Sequence, residues 1–184
     1  MEETLLHLDY AILEKINTQW AANWADSFFP FITDLHKSPY FFLTVIPILI
    51  YFFYKKFNKL GFIYFLFLVV ALSVSDWAGG RVKNHYHRLR PFENSEVHAI
   101  KKSPAGSKSF YSNHTSNMFT FATYTTVFFP VAAVPCYALA IIVAYSRVYN
   151  GVHYPSDVMA GAFMGIIWGL AFSALAKRFK RNPA

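Results

Sequence analysis

From residue 115 to residue 146 the chain runs through 32 consecutive positions without a charged side chain. A soluble domain carries about 25% charged residues, spread over its surface. A run of this length therefore points to a chain whose solvent is lipid. Residues 38–54, 60–75 and 158–176 are uncharged as well. A membrane-crossing helix needs about 20 mostly apolar residues, within a range of roughly 17–25. One helix over 115–146 would measure about 48 Å, too long for a hydrocarbon core of about 30 Å. Pro130 and Pro135 stand in the middle of that run, where a tight turn divides it into two helices. The stretch 60–75 extends naturally through Asp76, Trp77 and Ala78 to the Gly79-Gly80 pair, and 158–176 is rich in small residues suited to close helix packing in lipid. The expected fold is all-α, a polytopic membrane bundle of five transmembrane helices.

The first 37 residues read differently. Leu5, Leu6, Leu8, Ile12, Leu13 and Ile16 recur at helical spacing with acids between them. That pattern predicts an amphipathic helix lying on the membrane surface. Trp20, Trp24, Phe28 and Phe29 follow, and aromatics of this kind favour the interface. A sixth, weakly apolar span over residues 19–36 is left open. The acidic start lacks the cationic region of a secretory signal. The expected division is an interfacial segment over 1–37 and a membrane-embedded domain over 38–184.

Composition agrees with this class. Hydrophobic residues make up 55% and aromatics 20%, while only 15% are charged. The single cysteine, Cys136, excludes an internal disulfide framework. A net charge of +7 raises the possibility of nucleic-acid binding. The cations, however, sit between apolar runs instead of along one soluble face, so no nucleic-acid partner is expected. Six of the ten acids fall in the first 34 residues. Lysine and arginine in short loops mark the cytoplasmic side. Lys55, Lys56 and Lys59 share that side with the cluster from Lys177 to Arg181. The N-terminus and the loops 80–113 and 147–155 then face outward. The loop 80–113 is basic against that rule, so another reason must hold cations there.

Three polar clusters fall at span ends on this outer side: Lys83 to Pro91, Phe110 to Asn117, and Ser146 to Asp157. Lys83, Arg90 and Arg147 supply cations, and guanidinium forks fit phosphate oxygens in pairs. Ser112 and the amide of Asn113 open a helix, where negative charge is favoured. His153 and Asp157 are four residues apart, beside Pro155 at the predicted helix start. A carboxylate there holds one imidazole nitrogen and leaves the other free to attack. His114 is a second imidazole, able to protonate a leaving oxygen. Together these are the parts of phosphoryl transfer without a metal.

These clusters resemble the three signature motifs of the type 2 phosphatidic acid phosphatase family, lipid phosphate phosphatases related to vanadium haloperoxidases. Lys83, six residues, Arg90-Pro91 matches the first. Ser146-Arg147, five residues, His153, three residues, Asp157 matches the third. The second keeps Ser112 and His114, while Tyr111 and Asn113 replace its Pro and Gly. The resemblance covers residues 60–176. It implies that Lys83, Arg90, Ser112, Asn113 and Arg147 bind phosphate, and that His153 attacks phosphorus to form a phosphohistidine. It further implies that Asp157 orients His153, and that His114 protonates the leaving group and then activates water. No metal or cofactor is implied.

Plainer readings compete for single residues. His153 and Asp157 alone would read as a structural pair, and Lys83 and Arg90 as cations reaching for headgroups. Arg81, Arg88, Lys101, Lys102 and Lys108 are assigned to the surface or to substrate headgroups. His85 and His87, two apart on a helix, point to different faces and do not suggest a metal pair. Asp76 is expected to pair with Arg81 or Arg88, and Ser116 and Asn117 to bond between helices. The expected activity is hydrolysis of a lipid phosphate or diphosphate at the outer face of the cytoplasmic (inner) membrane, with undecaprenyl diphosphate first and lipid A phosphate or phosphatidylglycerol phosphate behind it. The partners expected are that lipid substrate and the surrounding membrane lipids. The rival from another class is a non-catalytic binder or carrier of anionic lipid. A transporter is disfavoured, since no inverted repeat is visible.

Overall fold

In a computed structural model describing residues 2–106 and 108–179, every regular element is helical. The side chains of Glu2 and Glu3, and Lys180 and Arg181 of the cationic tail, lie outside the described residues. The elements are α1 (Glu2–Glu14), a π turn (Lys15–Gln19), α2 (Asn23–Asp34), α3 (Pro39–Phe57), α4 (Lys59–Tyr86), α5 (Asn113–Phe128), α6 (Ala133–Tyr149) and α7 (Pro155–Arg178). Short 3₁₀ turns cover Leu35–Lys37, Pro91–Glu93 and Pro130–Ala132. Local chemistry explains the breaks. Pro39 and Pro155 open their helices at the position where a missing N–H costs nothing. Asn58, at φ 53°, makes the corner between α3 and α4, and His87, at φ 49°, ends α4 in the left-handed region. Pro130 follows α5 and closes the long uncharged run, as its sequence predicts.

Four segments are long and apolar enough to cross a membrane: Pro39–Phe57, Lys59–Glu93, Pro130–Tyr149 and Pro155–Arg178. With 16 residues, α5 is shorter, about 24 Å, and rich in threonine and serine. Its position explains its composition. It packs against α7, α6 and α4, and Thr115, Ser116, Thr120, Thr123 and Thr125 are buried there. A helix walled off from lipid by other helices can carry hydroxyls. By contrast α3 buries only Phe53 and leaves Tyr40, Leu43, Ile48 and Tyr51 exposed, as a peripheral helix in lipid would. With 12 residues, α2 measures about 18 Å, so residues 19–36 contain no span-length helix.

The tightest seam lies between α5 and α7. Gly161, Gly165 and Gly169 repeat every fourth residue on the face of α7 toward α5. A Cβ at Gly161 would stand 2.6 Å from the Ser112 carbonyl oxygen, and one at Gly169 2.6 Å from Thr123 Cβ. The seam sets the depth at which the α5 and α7 N-termini meet, and hence the geometry of the residues there. At the other end Phe53, Tyr64, Leu68, Tyr124, Phe128 and Ala176 form the main apolar cluster. Tyr124 Oη donates to the Tyr64 carbonyl at 2.7 Å, and Lys56 Nζ satisfies the Phe128 carbonyl at the end of α5 at 2.6 Å.

A helix forms over Glu2–Glu14, where an amphipathic one is expected, with a rotation that the apolar pattern did not foresee. Leu5, Leu6, Leu8 and Ile12 are exposed. The inward stripe is Asp9, Leu13 and Asn17, all buried. Leu13 packs with Val97, Val148 and Tyr154, while Asn17 bonds the Ile100 amide, the Ile100 carbonyl and the Tyr149 carbonyl.

The seam gives a direct test. Gly169→Ala should lower the thermal midpoint in detergent, at a cost of about 1–3 kcal/mol from overpacking. Gly80→Ala, where an added Cβ meets nothing within 4 Å, should be neutral or stabilising by up to about 1 kcal/mol.

Candidate active site

Helices α4 and α6 end, and α5 and α7 begin, at one end of the bundle, and the three polar clusters meet there. Main-chain bonds hold the frame. Ser112 N donates to the Asp157 carbonyl at 3.1 Å, joining the starts of α5 and α7. The turn after α6 folds back so that the amides of Val152 and His153 both reach the Arg147 carbonyl at 3.3 Å. Gly151 allows that turn with φ 67°.

His153 is 2% exposed. Its Nδ1 faces Asp157 Oδ2 at 3.4 Å and Ser109 Oγ at 3.5 Å, and its Nε2 lies 3.3 Å from Arg90 Nη1. A carboxylate accepts only, so this network assigns the proton to Nδ1 and leaves the Nε2 lone pair toward the cations. Burial pushes the His153 pKa down to about 3, against the opposing pull of Asp157. The imidazole is therefore neutral, the form that has a lone pair to give.

Asp157 is fully buried and fully engaged. Oδ2 accepts from Tyr154 N at 3.0 Å and from the Ser109 hydroxyl, and Oδ1 accepts from Arg88 Nη1 at 2.6 Å. Lys83, Arg90 and Arg147 are 6%, 5% and 2% exposed, and they lie close enough to repel one another. Carbonyls hold the first two in place, and a hydroxyl holds the third. Lys83 Nζ donates to the carbonyls of Lys108, Ser109 and Tyr111. Arg90 donates to the carbonyls of Val152 and Gly106, each at 2.6 Å, and Arg147 Nη1 donates to Thr33 Oγ1 at 2.8 Å. Arg147 Nε is buried without a hydrogen bond inside the protein.

Ser112 caps α5, its Oγ accepting from Thr115 N and Thr115 Oγ1. Asn113 turns its side chain to Asp76, donating to the carbonyl and to Oδ1 at 3.1 Å each. The His114 ring stands edge-on to His36, centroids 5.2 Å apart, and its Nε2 is buried without a partner. It lies within electrostatic reach of Arg147 and His153. His36 Nδ1 meets the Thr33 carbonyl at 3.1 Å, and burial lowers its pKa, so this third imidazole is neutral too.

Several surface assignments change. Arg88, expected at the surface, forks between Asp9 and Asp157. Lys102 is drawn into an ion pair with Asp26 at 2.8 Å over the Tyr149 ring. Asp76 pairs with neither Arg81 nor Arg88; its partners are Asn113 and Asn117, and Arg81 lies over Trp77 instead. Arg88 and Lys102 both belong to the segment between α4 and α5, which brings them against carboxylates of α1, α7 and α2, the better partners for a cation drawn inward. The expected interhelical bonds of Ser116 and Asn117 are present, the first to Ser75 at 2.8 Å. Among the described residues no group of three or more His, Cys, Asp or Glu gathers as a metal site would. Arg88, Ser109, Thr33 and His36 had no motif to mark them.

Residues 60–181 match the family model of the PAP2 superfamily, and the chain belongs to that superfamily. A lipid A 4'-phosphatase of Porphyromonas gingivalis is 29% identical over 131 residues, 67% of this chain and 56% of the relative. The Escherichia coli K12 protein YbjG, provisionally named an undecaprenyl-diphosphatase, is 32% identical over 102 residues, 54% of this chain and 50% of the relative. The chain thus spans about half the length of these curated relatives. The crystal structure of a Bacillus subtilis transmembrane phosphatidylglycerolphosphate phosphatase of PAP2 type shares the fold at TM-score 0.76, with 21% identity over 98% of this chain and 90% of that one. The LpxE structure of Aquifex aeolicus aligns at TM-score 0.70 with 26% identity, covering 90% of this chain and 94% of that one.

The buried imidazole has a consequence for stability. Its pKa is about 3 in the fold and about 6.5 in the unfolded chain, so the unfolded chain takes up the proton first on acidification. The stability present above about pH 6.5 is lost as the pH falls toward 3. Thermal midpoints in detergent should drop between pH 6.5 and 4 in the wild type, and less steeply in His153→Gln.

Proposed function

We propose that the chain is an integral membrane phosphatase that removes phosphate from a lipid phosphate or diphosphate through a phosphohistidine. One observation carries this reading: Arg90 Nη1 stands 3.3 Å from Nε2 of a neutral His153, and two further buried cations, Lys83 and Arg147, lie within repelling distance of Arg90. Such a cluster is favourable only around a multiply charged anion. Arg90, Arg147, Lys83, Ser112 and the Asn113 amide grip that anion, an oxygen of which replaces one of the carbonyls that Lys83 now holds.

His153 Nε2 attacks phosphorus, a P–N bond forms, and the P–O bond to the lipid breaks. The positive charge that develops on the ring faces Asp157, which keeps the Nδ1 proton in place. A phosphate dianion beside His114 favours its protonated form, and that proton goes to the leaving oxygen. His114, now neutral, takes a proton from the water that attacks the phosphohistidine and releases phosphate.

The same reading sets the chain in its membrane. The four span-length helices and α5 make five crossings, with residues 1–37 at the interface and 38–184 as the embedded phosphatase domain. Lys56 and Lys177 lie at the end of the bundle away from the site, so that end is cytoplasmic and the site opens outward from the inner membrane. Three cations match a diphosphate more closely than a dianionic monoester, which favours undecaprenyl diphosphate. Lipid A phosphate is the second reading, favoured by the lipid A 4'-phosphatase relatives in Porphyromonas gingivalis and Bacteroides thetaiotaomicron.

The test is a panel of undecaprenyl diphosphate, lipid A and phosphatidylglycerol phosphate, assayed in detergent with a chelator of divalent metals present. Phosphate release from undecaprenyl diphosphate should be fastest, vanadate should block it, and His153→Ala should abolish it. Full activity in His153→Ala would refute the assignment. A lipid that binds and never loses phosphate would support a carrier instead. Orientation has its own measurement. In a Cys136→Ser background, an impermeant thiol reagent added to whole spheroplasts should label Lys101→Cys and spare Lys55→Cys.

A further inference from the structure

The N-terminal helix reaches the site through one side chain that neither the motifs nor the proposed chemistry uses. Asp9 is 7% exposed on a helix whose neighbouring leucines, Leu5, Leu6 and Leu8, are open. Its carboxylate is occupied entirely by other elements. Oδ1 accepts from Ser156 N at 2.8 Å, and Oδ2 accepts from Ser156 Oγ at 2.5 Å and Arg88 Nη2 at 2.7 Å. Asp9 thereby caps the start of α7 from a different helix and anchors one edge of the Arg88 guanidinium.

The other edge of that guanidinium meets the catalytic carboxylate. Arg88 Nη1 donates to Asp157 Oδ1 at 2.6 Å and to Ser156 Oγ at 2.8 Å. Its face lies 4.0 Å from the Tyr154 ring centroid, and Tyr154 in turn rests against Tyr10 of α1 at 5.5 Å. A guanidinium held on two edges and one face has little freedom to turn. Asp157 presents Oδ1 to Arg88 and Oδ2 to His153. A carboxylate is planar, so fixing one oxygen fixes the other.

We propose that Asp9 is a positioning residue for the nucleophile. Acting through Arg88 and Ser156, it sets the rotation of the Asp157 carboxylate and so the tautomer and aim of His153. The N-terminal helix becomes a working part of the site. This inference rests on His153 being the nucleophile.

The experiment uses the full chain in detergent with undecaprenyl diphosphate and lipid A as probes. It compares Asp9→Asn, Asp9→Glu, Arg88→Gln and the Asp9→Asn/Arg88→Gln double variant, with His153→Ala as reference. Asp9→Asn should lower kcat roughly 10- to 100-fold, as misaimed catalytic groups do. KM should stay within about twofold and the thermal midpoint near that of the wild type. Asp9→Glu should recover part of kcat. The double variant should be no more than about twofold slower than Arg88→Gln alone, because both changes act through one contact. Wild-type kcat in Asp9→Asn, or losses that multiply in the double variant, would overturn the proposal while an inactive His153→Ala leaves the nucleophile assigned. A thermal midpoint that falls with activity in Asp9→Asn and recovers with it in Asp9→Glu would assign Asp9 to packing alone and overturn it as well. Turnover retained in His153→Ala would instead remove the reading on which the inference rests.

Discussion

A carboxylate with no exposure to solvent has to be paired, and at Asp157 four groups from three stretches of chain meet to do it. Arg88 arrives from the segment after α4, Ser109 from the loop before α5, and Tyr154 and His153 from the turn before α7. The Asp157 carbonyl ties in a fifth group, the Ser112 amide that opens α5. Unpaired, such a charge would cost several kcal/mol. The arrangement of the loops is therefore a condition of burying it. The glycine seam between α5 and α7 serves the same point, since it lets the two helix starts approach closely enough for Ser112 and Asp157 to touch. Packing in the bundle and charge pairing at its end are one constraint seen at two depths.

Lipid as solvent explains why the most polar helix is the central one. In a hydrocarbon environment hydroxyls find partners only in protein. Thr123 bonds Tyr137 of α6, Ser116 bonds Ser75 of α4, and Ser112 and Thr115 bond each other. The outer helices supply the apolar surface that α5 lacks. The polar helix then delivers Ser112, Asn113 and His114 to the site from its N-terminus, where main-chain amides favour an anion.

Legibility in the sequence followed the range of the interaction. Helix boundaries set by proline, uncharged runs and small-residue repeats were readable because their causes are local: Pro155 opens α7, and Pro130 separates α5 from α6. The site was readable where spacing within one segment carries it, as with His153 and Asp157 one helical turn apart. Arg88 and Asp9 were not. Nothing near Arg88 distinguishes it from Arg81, yet one lies over an exposed tryptophan and the other forks between two buried carboxylates. Asp9 sits among leucines in a pattern that amphipathicity alone turns toward water. Its partners are Arg88 and Ser156, and contacts that distant leave no periodicity behind. His36 was hidden in the same way, in a segment whose aromatics suggested only an interface.

The resting site balances two opposing needs of the cations. In the proposed role, Lys83, Arg90 and Arg147 have to be buried to act strongly on an anion, because charges interact more in a low dielectric. Buried and bare, they would repel one another. Carbonyls at Lys83 and Arg90, and the Thr33 hydroxyl at Arg147, solve this, since they satisfy N–H donors without cancelling charge. Lys83 and Arg90 keep their fields while their protons hold the Lys108–Tyr111 stretch, Gly106 and Val152 in register. A carboxylate in the same place would pair with the arginines and compete with phosphate. The two buried carboxylates are instead kept behind the imidazole, Asp157 against Nδ1 and Asp9 one guanidinium further away. Negative charge thus stands on the Nδ1 side of His153, where it would stabilise the phosphorylated ring of the proposed mechanism. Positive charge stands on the Nε2 side, and the neutral imidazole divides the two.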